Sequence, residues 1–181
     1  MKATGIVRRI DELGRVVIPK EIRRTMRIRE GDPLEIYTDR DGEVVFKKYS
    51  PVGEMSPLAA QYAEVLSKTS GSPCVISDRD QIIATAGVSH KDYLERKVSE
   101  DLEDLIEARQ QYTAGKDSKK LLFPVDGLDR PAAVVSPILV SGDVTGSVVM
   151  LMGDGGRLPS ESDVKLIQTA SHFLGRVMED F

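Results

Sequence analysis

The chain has 181 residues, a formal net charge of −4, 40% hydrophobic and 30% charged residues, and one cysteine. That composition excludes a disordered chain, and a single cysteine excludes an internal disulfide and suits a reducing compartment. The start, Met1-Lys2-Ala3-Thr4-Gly5-Ile6-Val7-Arg8-Arg9, is too interrupted by charge for a signal peptide, and no apolar run nears the roughly 20 residues of a membrane helix, so a cytoplasmic protein is expected.

Charge is divided unevenly along the chain. Residues 1–50 hold 12 Lys and Arg against 9 Asp and Glu, a balance of +3, and the remainder carries −7. Within residues 1–29 the ratio is nine to three. Two domains are therefore expected, 1–50 and 56–181, with 51–55 as linker. A basic surface on an acidic protein calls for a polyanionic partner, and DNA is the expected one. A fifty-residue segment without disulfide or zinc has little core of its own, so the first domain is expected to self-associate.

In chain order, Thr4–Ile10 and Arg15–Ile18 read as strands around a turn at Asp11-Glu12-Leu13-Gly14. Pro19 suits the first turn of a short helix over Lys20–Met26. Leu34–Thr38 and Glu43–Lys48 read as strands joined through Asp39-Arg40-Asp41-Gly42. Ser56-Pro57 opens a helix whose residues Leu58, Tyr62, Val65, Leu66 and Thr69 mark one face. Pro73–Ser77 and Gln81–Ala86 are strands, residues 91–111 an acidic helical stretch, and Lys120–Val125, Ala132–Val140 and Val144–Met152 three further strands. Ser160 with Asp163 resembles a capping box, and Ile167, Ala170, Leu174, Val177 and Phe181 follow at helical spacing. This order describes an α+β domain, an antiparallel sheet with flanking helices. The stripe on the last helix has two readings, packing on its own sheet or self-association through helices, the latter making a tetramer.

The basic residues Lys2, Arg8, Arg9, Arg15, Arg23, Arg24, Arg27 and Arg29 suit phosphate oxygens and guanine edges. The run from Lys2 to Pro19, followed by Glu21-Ile22-Arg23-Arg24-Thr25, Asp32-Pro33-Leu34-Glu35-Ile36-Tyr37 and Lys47-Lys48-Tyr49, closely resembles the AbrB-type DNA-binding domain. With a second domain of about 130 residues, the chain is similar to the late-sporulation regulators of that family, whose second half is a GAF domain. Val75-Ile76-Ser77-Asp78-Arg79-Asp80-Gln81-Ile82-Ile83-Ala84 resembles the first hairpin of sporulation-type GAF domains. The resemblance implies an all-β-rich swapped-hairpin barrel formed by two chains. It further implies DNA contact at Arg8, Arg15, Arg23 and Arg24, and tolerance of varied targets such as shape readout would give. A forespore regulator that both activates and represses is the implied role; an AbrB-fold antitoxin binding a toxin and its own promoter is the alternative.

A GAF-like domain often binds a small molecule between its sheet and covering helices, and the ligand is not identified. The Asn-Lys…Phe…Asp-Glu pattern of cyclic-nucleotide binders is missing, and Cys74 has no neighbouring histidine for a bilin. An oligomerisation module is the other reading of this domain. Several apparent sites reduce to structure. Asp39-Arg40-Asp41-Gly42 lacks the later ligands of a calcium loop, and Gly153-Asp154-Gly155-Gly156-Arg157 lacks the ending of a phosphate loop. His90 and His172 have no partners at metal spacing, Cys74 reads as a buried small hydrophobe, and Asp78 with Asp80 reads as a turn. The acidic run Glu100-Asp101-Glu103-Asp104-Glu107 reads as a solvated helix face. No catalytic set and no metal site are expected.

Overall fold

The computed structural model describes residues 4–115 and 120–179. The chain divides into two compact units, Met1–Tyr49 and Ser50–Phe181.

In the first unit, Asp11 nucleates a turn. Its carboxylate accepts the backbone N–H groups of Leu13 and Arg15, at 3.0 and 2.8 Å, and Gly14 closes the turn with φ +76°. Helix α1 (Lys20–Thr25) follows, then strands β1 (Leu34–Thr38) and β2 (Val44–Lys48), paired antiparallel with Ile36 opposite Phe46. Residues 4–10 and 15–18, expected as strands, join no ladder among the described residues. A strand exists only by pairing, and β1 and β2 pair with each other. Both stretches are therefore left with apolar side chains in water, Val7 at 87% exposure and Val17 at 71%.

The second unit begins where a linker was expected. Residues 51–55 are not an open connection: α2 (Pro51–Glu54) occupies them, capped by Ser50, whose Oγ accepts the Gly53 N–H at 3.0 Å. Val52, 1% exposed, anchors this turn in the core. Helix α3 (Ser56–Ser70) continues from it and ends at Gly71, in the left-handed region that glycine enters without penalty. Strands β3 (Cys74–Asp78) and β4 (Ile82–Ala86) form a hairpin. Short helices α4 (His90–Tyr93) and α5 (Glu100–Glu107) precede β5 (Tyr112–Thr113), β6 (Ala132–Val140), β7 (Asp143–Leu151) and α6 (Glu161–Glu179). The sheet is antiparallel, in the order β4-β3-β7-β6-β5.

Both faces of this sheet are covered, so its central strands are buried along most of their length. Strand alternation sorts the side chains. Ile76, Val134, Val148 and Met150 pack with Ala59, Ala63 and Leu66 of α3 and Ile167, Ala170 and Leu174 of α6. Val75, Val135, Val149 and Leu151 pack on the other side with Tyr93, Leu102, Ile106, Leu122 and Val125. Backbones approach closely at two glycines: a Cβ at Gly146 would sit 2.0 Å from the Ser77 carbonyl oxygen, and one at Gly175 would sit 2.3 Å from that of Leu139. The Ser136–Ser171 hydroxyl pair, 2.7 Å apart, ties α6 to β6 in the buried interior.

Several expectations change here. The stretch 91–111 is two helices, because Glu95 takes φ +62° and residues 94–98 turn to hydrogen-bond the edge of the sheet. Glu95 N–H donates to the Ile82 carbonyl and Val98 N–H to that of Asp80. Residues 120–125 are no strand; a single bridge joins Val98 and Val125, and Leu122 and Val125 point inward as a loop. On α6, Ile167, Ala170 and Leu174 are core residues rather than an interface, and Phe181 lies outside the described residues. On α3 the buried stripe is Ala59, Ala63 and Leu66, which leaves Val65 exposed and Tyr62 half-buried.

Candidate nucleic-acid interface

Helix α1 carries the first pair of expected contacts. Buried Pro19, with φ −58° and ψ 150°, stands at its N-cap; the carbonyl accepts the Arg23 N–H at 2.9 Å. Glu21 lies in the first turn and Arg23 and Arg24 in the last, the distribution that complements the helix dipole. The helix stops in a Schellman arrangement: Ile28 N–H donates to the Arg23 carbonyl and Arg27 N–H to that of Arg24. Glycine normally occupies the left-handed position of this motif, yet here it is Arg27, φ +50°. Lys48 of β2 braces that corner by donating from Nζ to the Arg27 carbonyl at 2.9 Å. Arg23 and Arg24 are thus exposed at a helix end held to the hairpin β1–β2.

The second group lies on the amino-terminal stretch. Arg8, Arg9 and Arg15 are exposed, and Lys2 lies outside the described residues. Arg15 is not loose. Its Nε donates to Asp11 Oδ2 at 2.8 Å, while its side chain as a whole stays 70% exposed. Asp11 is held below the ordinary carboxylate range, chiefly by the Arg15 backbone N–H and then by the Arg15 side chain. The residue pattern placed Asp11 in a turn and Arg27 among the basic residues, but it did not give the Asp11–Arg15 pair, the left-handed backbone of Arg27 or the Lys48 brace. The Asp-x-x-x-Arg spacing around Gly14 was the available signal for the first; nothing local marks the others.

The second unit carries the acidic part of the chain, with a balance of −7 over residues 51–181. Its exposed apolar side chains include Val65 at 56% and Phe173 at 45%; the ring of Phe173 meets that of Tyr62 with centroids 5.3 Å apart. Asp78 accepts the N–H groups of Asp80 and Gln81, both at 2.7 Å, and the Ser50 hydroxyl, as a turn requires. Burial raises its pKa despite those bonds. Burial also pushes the Cys74 thiol up to about 12, which leaves it unreactive. Asp163 shows the opposite balance. Burial pushes it up, but the Ser160 N–H and hydroxyl together with Arg157 outweigh that and hold it below its usual value. The Thr85 hydroxyl lies 3.0 Å from His90 Nδ1. Among the described residues no cluster of His, Cys, Asp or Glu could hold a metal ion, and no helix is long and apolar enough to cross a membrane.

Comparison with known proteins bears on both units. A family model described as "Stage V sporulation protein T C-terminal, transcription factor" matches residues 54–179. One described as "Antidote-toxin recognition MazE, bacterial antitoxin" matches residues 7–54. The chain is 50% identical over 181 residues to stage V sporulation protein T of Bacillus subtilis (strain 168), covering 99% of each. It is 46% identical over 86 residues to transition state regulatory protein AbrB of the same organism, 46% of this chain and 88% of that one. The second unit shares its fold with the GAF domain from Acinetobacter phosphoenolpyruvate-protein phosphotransferase, at a TM-score of 0.56 and 12% identity over 74% of this chain and 85% of that one.

Proposed function

The chain belongs to the stage V sporulation protein T family of transcription factors, and on that premise we propose that it is a DNA-binding regulator of sporulation genes. In this reading the first unit holds the DNA and the GAF-like second unit sets the assembly. It acts late, in the forespore cytoplasm, activating some promoters and repressing others, and it catalyses no reaction.

One observation carries the reading. Within the first unit Arg8, Arg9, Arg15, Arg23 and Arg24 are all exposed, and so are the apolar residues Val7, Ile10, Val16 and Val17. Apolar side chains so placed gain from burial, about 25 cal/mol per Å², and a second copy of the same stretch offers matching strands to pair with. Interleaving two copies would complete a barrel, remove the open strand edges and double the arginine set, Lys2 included. Contacts that are mostly to phosphate position the protein without reading bases, so tolerance of varied targets follows from shape and deformability. Tyr62, Val65 and Phe173 supply a second apolar surface through which the other unit would join two such dimers into a tetramer. The antitoxin reading ranks second, because its match covers residues 7–54 alone whereas the sporulation-protein match spans the chain.

The test is the salt dependence of DNA binding by the full chain. Eight phosphate contacts, from Arg8, Arg15, Arg23 and Arg24 of two copies, give a log–log slope of about −7. A slope shallower than about −2 would leave too few contacts for this interface.

A further inference from the structure

We propose that Asp11 is the positioning residue of Arg15, holding its guanidinium in the one orientation that serves DNA. The inference rests on the DNA-binding reading and adds to it a residue of the wrong charge. An aspartate beside a phosphate-binding arginine should weaken binding if only net charge mattered. The geometry gives it another task. Oδ1 accepts the backbone N–H groups of Leu13 and Arg15, so the carboxylate plane is set by the turn itself. The Asp11 N–H donates to the Arg15 carbonyl at 3.0 Å, and the Gly14 N–H to the Asp11 carbonyl at 2.9 Å, so both ends of the turn are tied. Oδ2, the remaining oxygen, is left to take Arg15 Nε at 2.8 Å. Gripped at Nε, the guanidinium keeps its two terminal nitrogens for a partner, and the side chain is 70% exposed to meet one. An arginine side chain loses rotamer freedom when it is immobilised, and a pre-set fork loses less of it on binding.

Charge and positioning predict opposite signs for one variant, Asp11→Asn. Asparagine keeps an oxygen for the two backbone N–H groups, so the turn survives, but it presents an amide N–H₂ to Nε, which cannot accept. If Asp11 positions Arg15, D11N binds DNA about fivefold more weakly, the range of one exposed charge pair. In an Arg15→Ala background the same change then has no effect or slightly tightens binding, because the repelling charge goes and no fork remains to misplace. Nitrogen relaxation at Arg15 Nε in the full chain should show an ordered group that becomes mobile in D11N. Affinity that is unchanged or raised in D11N would overturn the proposal, as would an Nε equally mobile in parent and variant. If R15A alone binds as tightly as the parent, the interface has been misplaced and the DNA-contact reading fails instead. Should D11N not fold, Arg15→Lys decides the matter. Lysine keeps the charge without the fork, so positioning predicts a loss near that of R15A, and parental affinity contradicts it.

Discussion

The two units bury their apolar residues by different means. The second unit covers both faces of one sheet with its own helices and loops, so Ile76, Leu102, Ile138, Met150 and Leu174 are all under 2% exposed. The first unit leaves Val7, Ile10, Leu13 and Val17 at 69% exposure or more, although these side chains are as apolar as those of the other core. A complete core can be understood from one chain; on the proposed reading the incomplete one awaits a second copy. That reading also puts function with the incompleteness, since the stretches that join no ladder carry Arg8, Arg9 and Arg15.

The sharpest way to break this contrast is to put charge where the first unit is exposed. Ile10→Asp with Val17→Asp would cost under about 0.5 kcal/mol at a true surface, but several kcal/mol if a second copy covers both positions. Circular dichroism of residues 1–50 reads it: the parent should unfold at a midpoint that rises with concentration, and the variant should not fold. A parent midpoint constant over a hundredfold dilution would mean that one copy is complete.

Neighbouring positions on α6 sharpen the same contrast within the second unit. Leu174→Ala should destabilise it by about 2–5 kcal/mol through the cavity left between α6 and β6. Phe173→Asp with Val65→Asp should leave the unit folded, with its midpoint lowered modestly as the Tyr62 ring contact and the association are lost, and halve the mass seen by light scattering. Loss of folding in that pair would place both residues in the core, and unchanged mass would remove the second interface.

Much of the second unit was legible because its strands are short apolar, β-branched runs set between turn residues. Such runs marked β3, β6 and β7, and Ser160 with Asp163 marked the start of α6; Ser160 Oγ accepts the Asp163 N–H at 3.2 Å. What escaped was decided by tertiary pairing. Residues 94–98 have a helical, charged composition, yet the edge near Ile82 takes their backbone bonds and breaks the helix. Two-residue β5 is too short to carry a period. The stripe on α6 could not be assigned from spacing, since a helix on a sheet and a helix on a helix ask for the same spacing; Gly175, against the Leu139 carbonyl, belongs to the first. In the first unit the arginines were legible by charge, but the arrangement of Arg15 by Asp11 needed coordinates.

Two buried carboxyls give smaller effects with opposite pH signs. Asp78 is raised by burial, so its contribution is full below the unfolded value near 3.8 and declines as pH rises through the higher folded value. Asp78→Asn, which keeps an oxygen for Asp80 and Gln81, should therefore be the more stable form at neutral pH, with the gap closing in acid. Asp163 is lowered, so its contribution is present above 3.8 and is lost as pH falls through the lower folded value. Asp163→Asn should be the less stable form at neutral pH. Urea midpoints at pH 7 and pH 3.5 read both; matching signs would show that burial and capping had been misjudged. Smallest is Arg27→Gly, which relieves a left-handed arginine and should stabilise the first unit by up to about 1 kcal/mol, as the midpoint of residues 1–50 would show.

The most direct test of DNA binding by the first unit is the salt slope of the full chain with Arg23→Ala and Arg24→Ala together. Four of eight contacts leave a dimer, so the slope should fall from about −7 to about −4 while the second unit melts as before. A slope unchanged by the double substitution would contradict the placement of DNA on the first unit's arginines.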